Sequence, residues 1–413
     1  MTCQLPIAAT HTAARSLAAT HKAAATQTSS ALATPTQACD AFTPQSQDAA
    51  SDGLDIFGGG NRVSPLLDEE SAPNSAHEIF AQARKLIRSA TSSIQLEMFD
   101  VTNKDMVNLL IAEARKGISV QIVMDPPNDD WEAPRKAAID KLRKGGVDVR
   151  IYPALPPNSP GATFGQLDHV KMLIVDGQKA IIGGMNWGNH SPRNHDFDVK
   201  VEGPAVEKMG WMFREDWLMS GGEADALPPI QDVPPAGSDR VTLLRSGMGT
   251  QEKAIGKAIR RAIHNARSSI HAELFVLSDR PTVEALLAAK RRGVDVKVIL
   301  DPLKIKGNPI NENAAAALRE GGVDVKWYVC NAQTQQKMHA KMAVIDANQV
   351  FVGSANWSYA GFNINREAEV SVYSPKTTSV FSTTFSKDWK TRTSNEPIYI
   401  EDGAEATGAS FAM

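Results

Sequence analysis

Two short stretches of this chain carry residue types suited to phosphate chemistry, in the same order. The first reads His169-Val170-Lys171, then Asp176, then Gly183-Gly184-Met185-Asn186. The second reads His339-Ala340-Lys341, then Asp346, then Gly353-Ser354-Ala355-Asn356. In both, four residues separate Lys from Asp and six separate Asp from the glycine. An imidazole can attack phosphorus or hand over a proton near neutral pH. Lysine and asparagine donate to phosphate oxygens whose charge grows in the transition state. Glycines let a backbone approach closely, which makes Gly184 and its counterpart Ser354 candidate substrate-binding positions. One copy supplies a single imidazole; two facing copies supply a nucleophile and an acid.

Such side chains need rigid elements beneath them. The apolar flanks Met172–Val175 and Met342–Ile345 read as buried strands, and residues two apart on a strand share a face, so each His and Lys project together. Asp176-Gly177 and Asp346-Ala347-Asn348 are turn signals, which makes the two aspartates structural. The returning strands Ala180–Ile182 and Val350–Val352 then bring Gly and Asn back beside the His-Lys edge.

The rest of the chain is also written twice. Ile94 recurs as Ile270, an offset of 176, and the same offset carries Glu97 to Glu273, Phe99 to Phe275, Gly117 to Gly293 and Asp125-Pro126 to Asp301-Pro302. Gly145–Val149 recurs as Gly321–Val325. At the His-x-Lys motifs the offset falls to 170, which places six extra residues around Pro156–Thr163 of the first copy. Each copy alternates helix and strand. A capping box at Ser75–Glu78 opens a helix carrying Ile79, Phe80, Ala83, Leu86 and Ile87. Strands Ile94–Phe99 and Val120–Met124 flank a helix over Met106–Lys116; the second copy repeats this with Ala254–Ala266, Ile270–Val276, Val283–Arg292 and Val296–Leu300. This is an α/β fold with a largely parallel or mixed sheet in each half. The expected boundaries are a disordered tail over 1–56, one half over 57–219, a Pro/Gly-rich linker over 220–238, a second half over 239–395 and a tail over 396–413, with fraying from Thr393 onward.

Bulk properties narrow the function classes. A net charge of −3 and a pI near 6.3 weaken the case for a nucleic-acid binder. Cys3, Cys39 and Cys330 form neither a disulfide framework nor metal-ligand spacing, and Cys330 reads as a buried free thiol. No apolar run reaches the ~18 residues of a membrane span. The first residues are rich in Ala, Thr and Ser, carry Arg15 and Lys22, and contain no acidic residue before Asp40. They lack the apolar core of a secretory signal. The expectation is a soluble or peripheral membrane protein, cytoplasmic or exported through a non-standard leader.

The doubled pattern His-x-Lys-x4-Asp-x6-Gly-(Gly/Ser)-x-Asn resembles the signature of the phospholipase D superfamily, and the likeness runs from about Phe57 to Arg392. It implies two α/β halves packed about a pseudo-twofold axis with one active site at their interface, no metal and no other cofactor. By motif position His169 would be the nucleophile that forms a phosphohistidine and His339 the acid and base; the reverse remains the alternative. Lys171, Lys341, Asn186 and Asn356 would be catalytic phosphate ligands. The family places a carboxylate downstream of each motif to hold a histidine ring. Asp196 and Glu367 match that position, with Glu367 assigned to His169 and Asp196 to His339 across the interface; Asp198 and Glu369 are the alternatives. The stretch from Gly183 through Asp196 and Val201–Val206 to Phe213 and Trp217 is similar to the first half of bacterial cardiolipin synthases. Those usually begin with membrane-spanning helices, which this chain lacks, so a peripheral phospholipase D-like enzyme fits better.

The implied activity is phospholipid hydrolysis or phosphatidyl transfer by a monomer holding both half-sites, with peripheral membrane contact. A metal-independent nuclease cleaving DNA or RNA is the alternative, and a non-catalytic scaffold is disfavoured because both His-Lys-Asn sets are intact. Activity should survive chelators. Glu97 and Glu273 read as polar residues near the site floor or as hydrogen-bond partners of a helix. Trp131, Phe164, Trp187, Trp357 and Tyr359 are expected near the cleft mouth. His190, His195, His264 and His271 belong to no copied pattern and are expected at surfaces or turns.

Overall fold

The computed structural model describes residues 55–56, 59–68, 78–127, 132–155, 165–247, 252–305 and 307–401. Ser75, Trp131, Phe164, the first-copy insertion around Pro156–Thr163, Cys3, Cys39 and the N-terminal stretch through 54 lie outside these residues. All described residues belong to one compact unit spanning Ser51–Met413.

Each copy folds into a mixed sheet. Among the described residues the first sheet runs in the order Arg62–Asp68, Asp196–Glu202, Lys179–Gly183, Lys171–Val175, Ser93–Met98, Ser119–Met124, Asp148–Ile151. The last three strands are parallel, which requires crossovers, and the helices Lys104–Arg115 and Glu132–Lys144 supply them. The other neighbours are antiparallel, joined through the hairpin that returns at Asp176-Gly177. The second sheet repeats the order with Arg240–Gly247, Glu367–Tyr373, Gln349–Gly353, Lys341–Ile345, Ser269–Leu274, Asp295–Leu300 and Asp324–Tyr328.

Local sequence explains these elements. Helix Glu78–Arg88 buries Ile79, Phe80, Ala83, Leu86 and Ile87, one apolar stripe at helical spacing. Asn103 caps the next helix by accepting from the amides of Asp105 and Met106, and Gly117 stops it with φ +92°. Asp279 and Gly293 do the same in the second copy.

The sheet edges correct three sequence expectations. Asp55–Ile56, placed in the disordered tail, pairs with Thr242 and Leu243 of the second sheet. Thr393–Ser394, expected to fray, pairs with Trp327 and Tyr328, and Ile400–Glu401 pairs with Leu303–Lys304. In each case an open strand edge offers hydrogen bonds that a polar terminal segment can take, which composition does not reveal.

Helices cover the outer face of each sheet and close a separate core there. The inner faces share a third core. Met172, Ile174, Val199 and Val201 of one sheet join Met342, Val344, Val370 and Val372 of the other. Helices Ala205–Met219 and Pro375–Thr391 add Met209, Phe213, Trp217, Phe381 and Phe385 to it. Each such side chain contributes roughly 1.5–3 kcal/mol on burial, so the halves are held together by apolar packing as well as by the polar contacts of the site.

Candidate active site

His169 and His339 lie two residues ahead of the lysines that open their strands, and each is stitched to the opposite half. The His169 amide donates to the Arg366 carbonyl at 2.9 Å, and the Arg366 amide to Leu167 at 2.8 Å. In the twin contact the His339 amide donates to the His195 carbonyl at 2.8 Å, and the His195 amide to Lys337 at 2.9 Å. The strands bearing Glu367 and Asp196 therefore lie directly against the opposite histidines.

The side chains follow the same crossing. His169 Nδ1 sits 2.9 and 3.1 Å from the Glu367 carboxylate oxygens, and His339 Nδ1 sits 2.6 Å from Asp196 Oδ2. With Nδ1 facing a carboxylate, Nε2 is the nitrogen left for substrate. Lys171 Nζ donates to the His169 carbonyl at 2.5 Å, and Lys341 Nζ to that of His339 at 2.5 Å, while lying 2.9 Å from the His339 ring nitrogens. Phe99 and Phe275 support the two rings at centroid distances of 5.1 and 4.8 Å. Among the described residues, the buried carboxamide oxygens of Asn186 and Asn356 accept no hydrogen bond.

Burial dominates the electrostatics. It lowers His169 to about 4 despite Glu367, which pulls upward. Burial, then Lys341 and Lys171, press His339 well below the ordinary imidazole value. Burial brings Lys171 to about 7 and Lys341 to about 8, and it raises Asp196 to about 6. Both rings therefore favour the neutral form before an anionic phosphate is present.

The neighbouring residues explain the glycines. Asp198 Oδ1 accepts the Met185 amide at 3.1 Å. A Cβ on Gly183 would lie 2.0 Å from that oxygen and 2.4 Å from the Asp198 Cα, while one on Gly353 would lie 2.4 Å from Glu369 Oε2. Asp198 and Glu369 therefore face the glycine loops, away from the histidines that Asp196 and Glu367 contact. Gly183→Ala is expected to destabilise the protein by about 3 kcal/mol or more, because part of the clash is with backbone that cannot rotate away. Denaturant unfolding checks this, and an unchanged midpoint would remove the steric explanation.

Ser354 requires a correction. Read as a substrate contact, its hydroxyl is buried and donates to Glu367 Oε2 at 2.5 Å while accepting the Ala368 amide. At Gly184 a Cβ would come within 2.3 Å of Asp196 Oδ1. Both positions therefore shape the orienting carboxylates. Asp176 accepts the amides of Thr91, Ser92 and Ser93, and Asp346 those of Arg267, Ser268 and Ser269, which ties each hairpin turn to the start of the neighbouring strand. Asp125 and Asp301, copied in the sequence but given no role there, accept the amides of Asp168 and Met338 at 2.7 Å and fix the residue before each histidine.

Sequence reasoning missed one pair altogether. His195, expected at a surface or turn, is fully buried; its Nε2 lies 3.0 Å from Glu273 and 3.5 Å from Asp388. Arg366, its counterpart in the second half, reaches Asp216 at 2.9 Å and Glu252 at 2.6 Å, in the cluster that contains Glu97. The available signal was a basic residue immediately before each orienting carboxylate. Trp187 and Trp357 are also corrected from cleft mouth to core, where they pack near Phe80 and Phe362; Tyr359 is exposed. His271 is half-buried against Asp295 and Phe385, and His264 is exposed.

The family model described as cardiolipin synthase, PLD-like domain, matches residues 83–217 and again 259–389. The chain belongs to the phospholipase D-like family. Among curated members, the cardiolipin synthase of Halalkalibacterium halodurans is 25% identical over 332 residues, 75% of this chain and 64% of that protein. Cardiolipin synthase A of Pseudomonas syringae pv. syringae is 28% identical over 327 residues, 74% of this chain and 64% of that protein. This phospholipase D-like chain thus spans a little under two thirds of those two relatives. The solved phosphatidylserine synthase of Haemophilus influenzae superposes with a TM-score of 0.61 over 84% of this chain and 90% of its own, at 11% identity, a likeness of fold. No helix among the described residues is long and apolar enough to cross a membrane.

Proposed function

We propose that this chain transfers or hydrolyses the phosphatidyl group of a phospholipid through a covalent phosphohistidine on His169. The observation that carries this reading is the crossed pair of His–carboxylate contacts, His169–Glu367 and His339–Asp196, in one buried site. The cardiolipin synthases among its relatives supply the substrate class.

Glu367 holds the His169 Nδ1 proton, which leaves a lone pair on Nε2 to attack phosphorus. As the N–P bond forms, the bond from phosphorus to the head-group oxygen breaks, and His339, favoured in its protonated form by the anionic phosphate and with Nδ1 on Asp196, gives that oxygen its Nε2 proton. Lys171 and Lys341, with the Asn186 and Asn356 amides, neutralise the oxygens of the pentacoordinate transition state. His339 then takes a proton from water or an acceptor alcohol, whose oxygen displaces His169. Substrate alcohol bound beside the site decides between hydrolysis and transfer.

The pH profile of turnover is expected to be bell-shaped. His169, with its pKa near 4, must be neutral, so activity falls as pH drops toward that value. On the basic side Lys171 and Lys341 lose their charge from about 7 and about 8 upward, weakening the hold on phosphate. A flat profile between about pH 5 and pH 9 would contradict these assignments.

The deciding experiment offers the purified protein phosphatidylcholine, phosphatidylglycerol and plasmid DNA in parallel, with and without a short alcohol. Alcohol-dependent formation of a new phosphatidyl ester supports the reading. Nicked plasmid with no lipid product overturns the substrate class.

A further inference from the structure

The two halves carry related buried charge clusters whose central cations differ; the first also holds Glu252 and the second Arg392. In the first, Asp216 and Glu252 pair with the guanidinium of Arg366, Asp216 from the opposite half, and Glu97 lies beside Asp216 within reach of its charge. In the second, Glu273 and Asp388 meet the imidazole of His195, again from the opposite half. Glu97 and Glu273 stand on equivalent strands, Asp216 and Asp388 on equivalent helices, and His195 and Arg366 each immediately precede the carboxylate that contacts a site histidine. Strand alternation sends His195 and Asp196 to opposite sides, so the acid pair grips the backbone from which Asp196 reaches His339.

We propose that His195 is a positioning residue whose imidazolium, held between Glu273 and Asp388, locks Asp196 onto His339, as the non-titrating guanidinium of Arg366 locks Glu367 onto His169. This deepens the proposed phosphatidyl-transfer reading and rests on it for the natural substrate. With its Nε2 3.0 Å from the Glu273 carboxylate and 3.5 Å from that of Asp388, both buried, the imidazole is favoured in its protonated form. The groups facing it are Glu273, Asp388, Tyr328, stacked at 4.9 Å, Arg392, which lies 3.5 Å from Asp388, and Asp196 on its own strand. Burial alone would lower the His195 pKa; the hydrogen bond to Glu273 and the charges of Glu273 and Asp388 outweigh it and raise it, with Arg392 opposing. A raised pKa means the lock is intact at low pH and is lost as pH rises through that value. Replacing His195 by its counterpart residue, arginine, should make the lock permanent.

The test has three readouts. Imidazole nitrogen NMR on the wild-type protein should find His195 protonated at both nitrogens at about pH 6.5, its ordinary pKa; a neutral ring there overturns the proposal whatever the variants do. On bis(4-nitrophenyl) phosphate and on phosphatidylglycerol, His195→Gln should lower kcat about tenfold or more with little change in KM. His195→Arg should restore kcat, because the guanidinium keeps the charge between Glu273 and Asp388. Unchanged kcat in His195→Gln, or no recovery of kcat in His195→Arg, sinks the idea. Since the three side chains offer ligand atoms within 4.8 Å of one another, stoichiometric divalent metal in the wild type, absent from His195→Arg, would also overturn it. Turnover of the chromogenic ester without turnover of lipid would reject the proposed substrate class and leave the His195 result standing.

Discussion

His169→Ala is expected to reduce turnover by about 10⁴-fold or more and to form no acid-labile, alkali-stable phosphoenzyme. His339→Ala should lose a similar factor on lipid, whose alkoxide leaving group needs a proton, yet behave differently on a 4-nitrophenyl phosphodiester. Nitrophenolate departs without protonation, so His339→Ala should form the phosphohistidine and then fail to resolve it. Quench-flow with labelled substrate separates the two cases. The geometry holds both Nδ1 atoms against carboxylates and puts Lys341 Nζ 2.9 Å from His339 Nε2; the choice of His169 as nucleophile rests on motif order. A trapped intermediate in His169→Ala and none in His339→Ala would reverse the roles.

The second large effect concerns the crossing itself. Asp196 belongs to the first half but contacts the histidine of the second. Asp196→Asn should therefore copy His339→Ala, accumulating phosphoenzyme from the activated ester, while Glu367→Gln should copy His169→Ala. Each is expected to cost roughly 10²–10⁴ in kcat, because an amide can present the wrong donor or acceptor to Nδ1 and cannot stabilise a charged ring. Glu367 also accepts from Ser354 and from Asn365, so Glu367→Gln disturbs more contacts and should show the larger loss. If Asp196→Asn impaired formation of the intermediate and Glu367→Gln its breakdown, the cross-half functional pairing would be wrong.

These two expectations show how much could be read early. The His-x-Lys pattern, the offset of 176 and the apolar flanks identify strands, hairpins and a duplication, because each depends on residues close in the chain. The same local signals placed the helices within a few residues of Lys104–Arg115 and Arg280–Arg291. His195 was misread for the opposite reason. A lone histidine beside an aspartate looks like a polar turn, and of the two acids that meet it Glu273 stands 78 residues away, with Asp388 farther still. Trp187 and Trp357 look like loop aromatics until the helices Glu78–Arg88 and Tyr359–Asn363 supply Phe80 and Phe362.

Along the chain alone, the residues establish that there are two half-sites, what each contains, and the family to which they point. Spacing, strand alternation and internal repetition are properties of a single dimension. How the half-sites combine became visible only in the folded molecule: that His169 meets Glu367, that Ser354 serves a carboxylate, and that His195 and Arg366 fill equivalent acid pairs with unlike cations. Those outcomes depend on which side chains burial forces together, and on what charge each must then keep or lose once water is excluded.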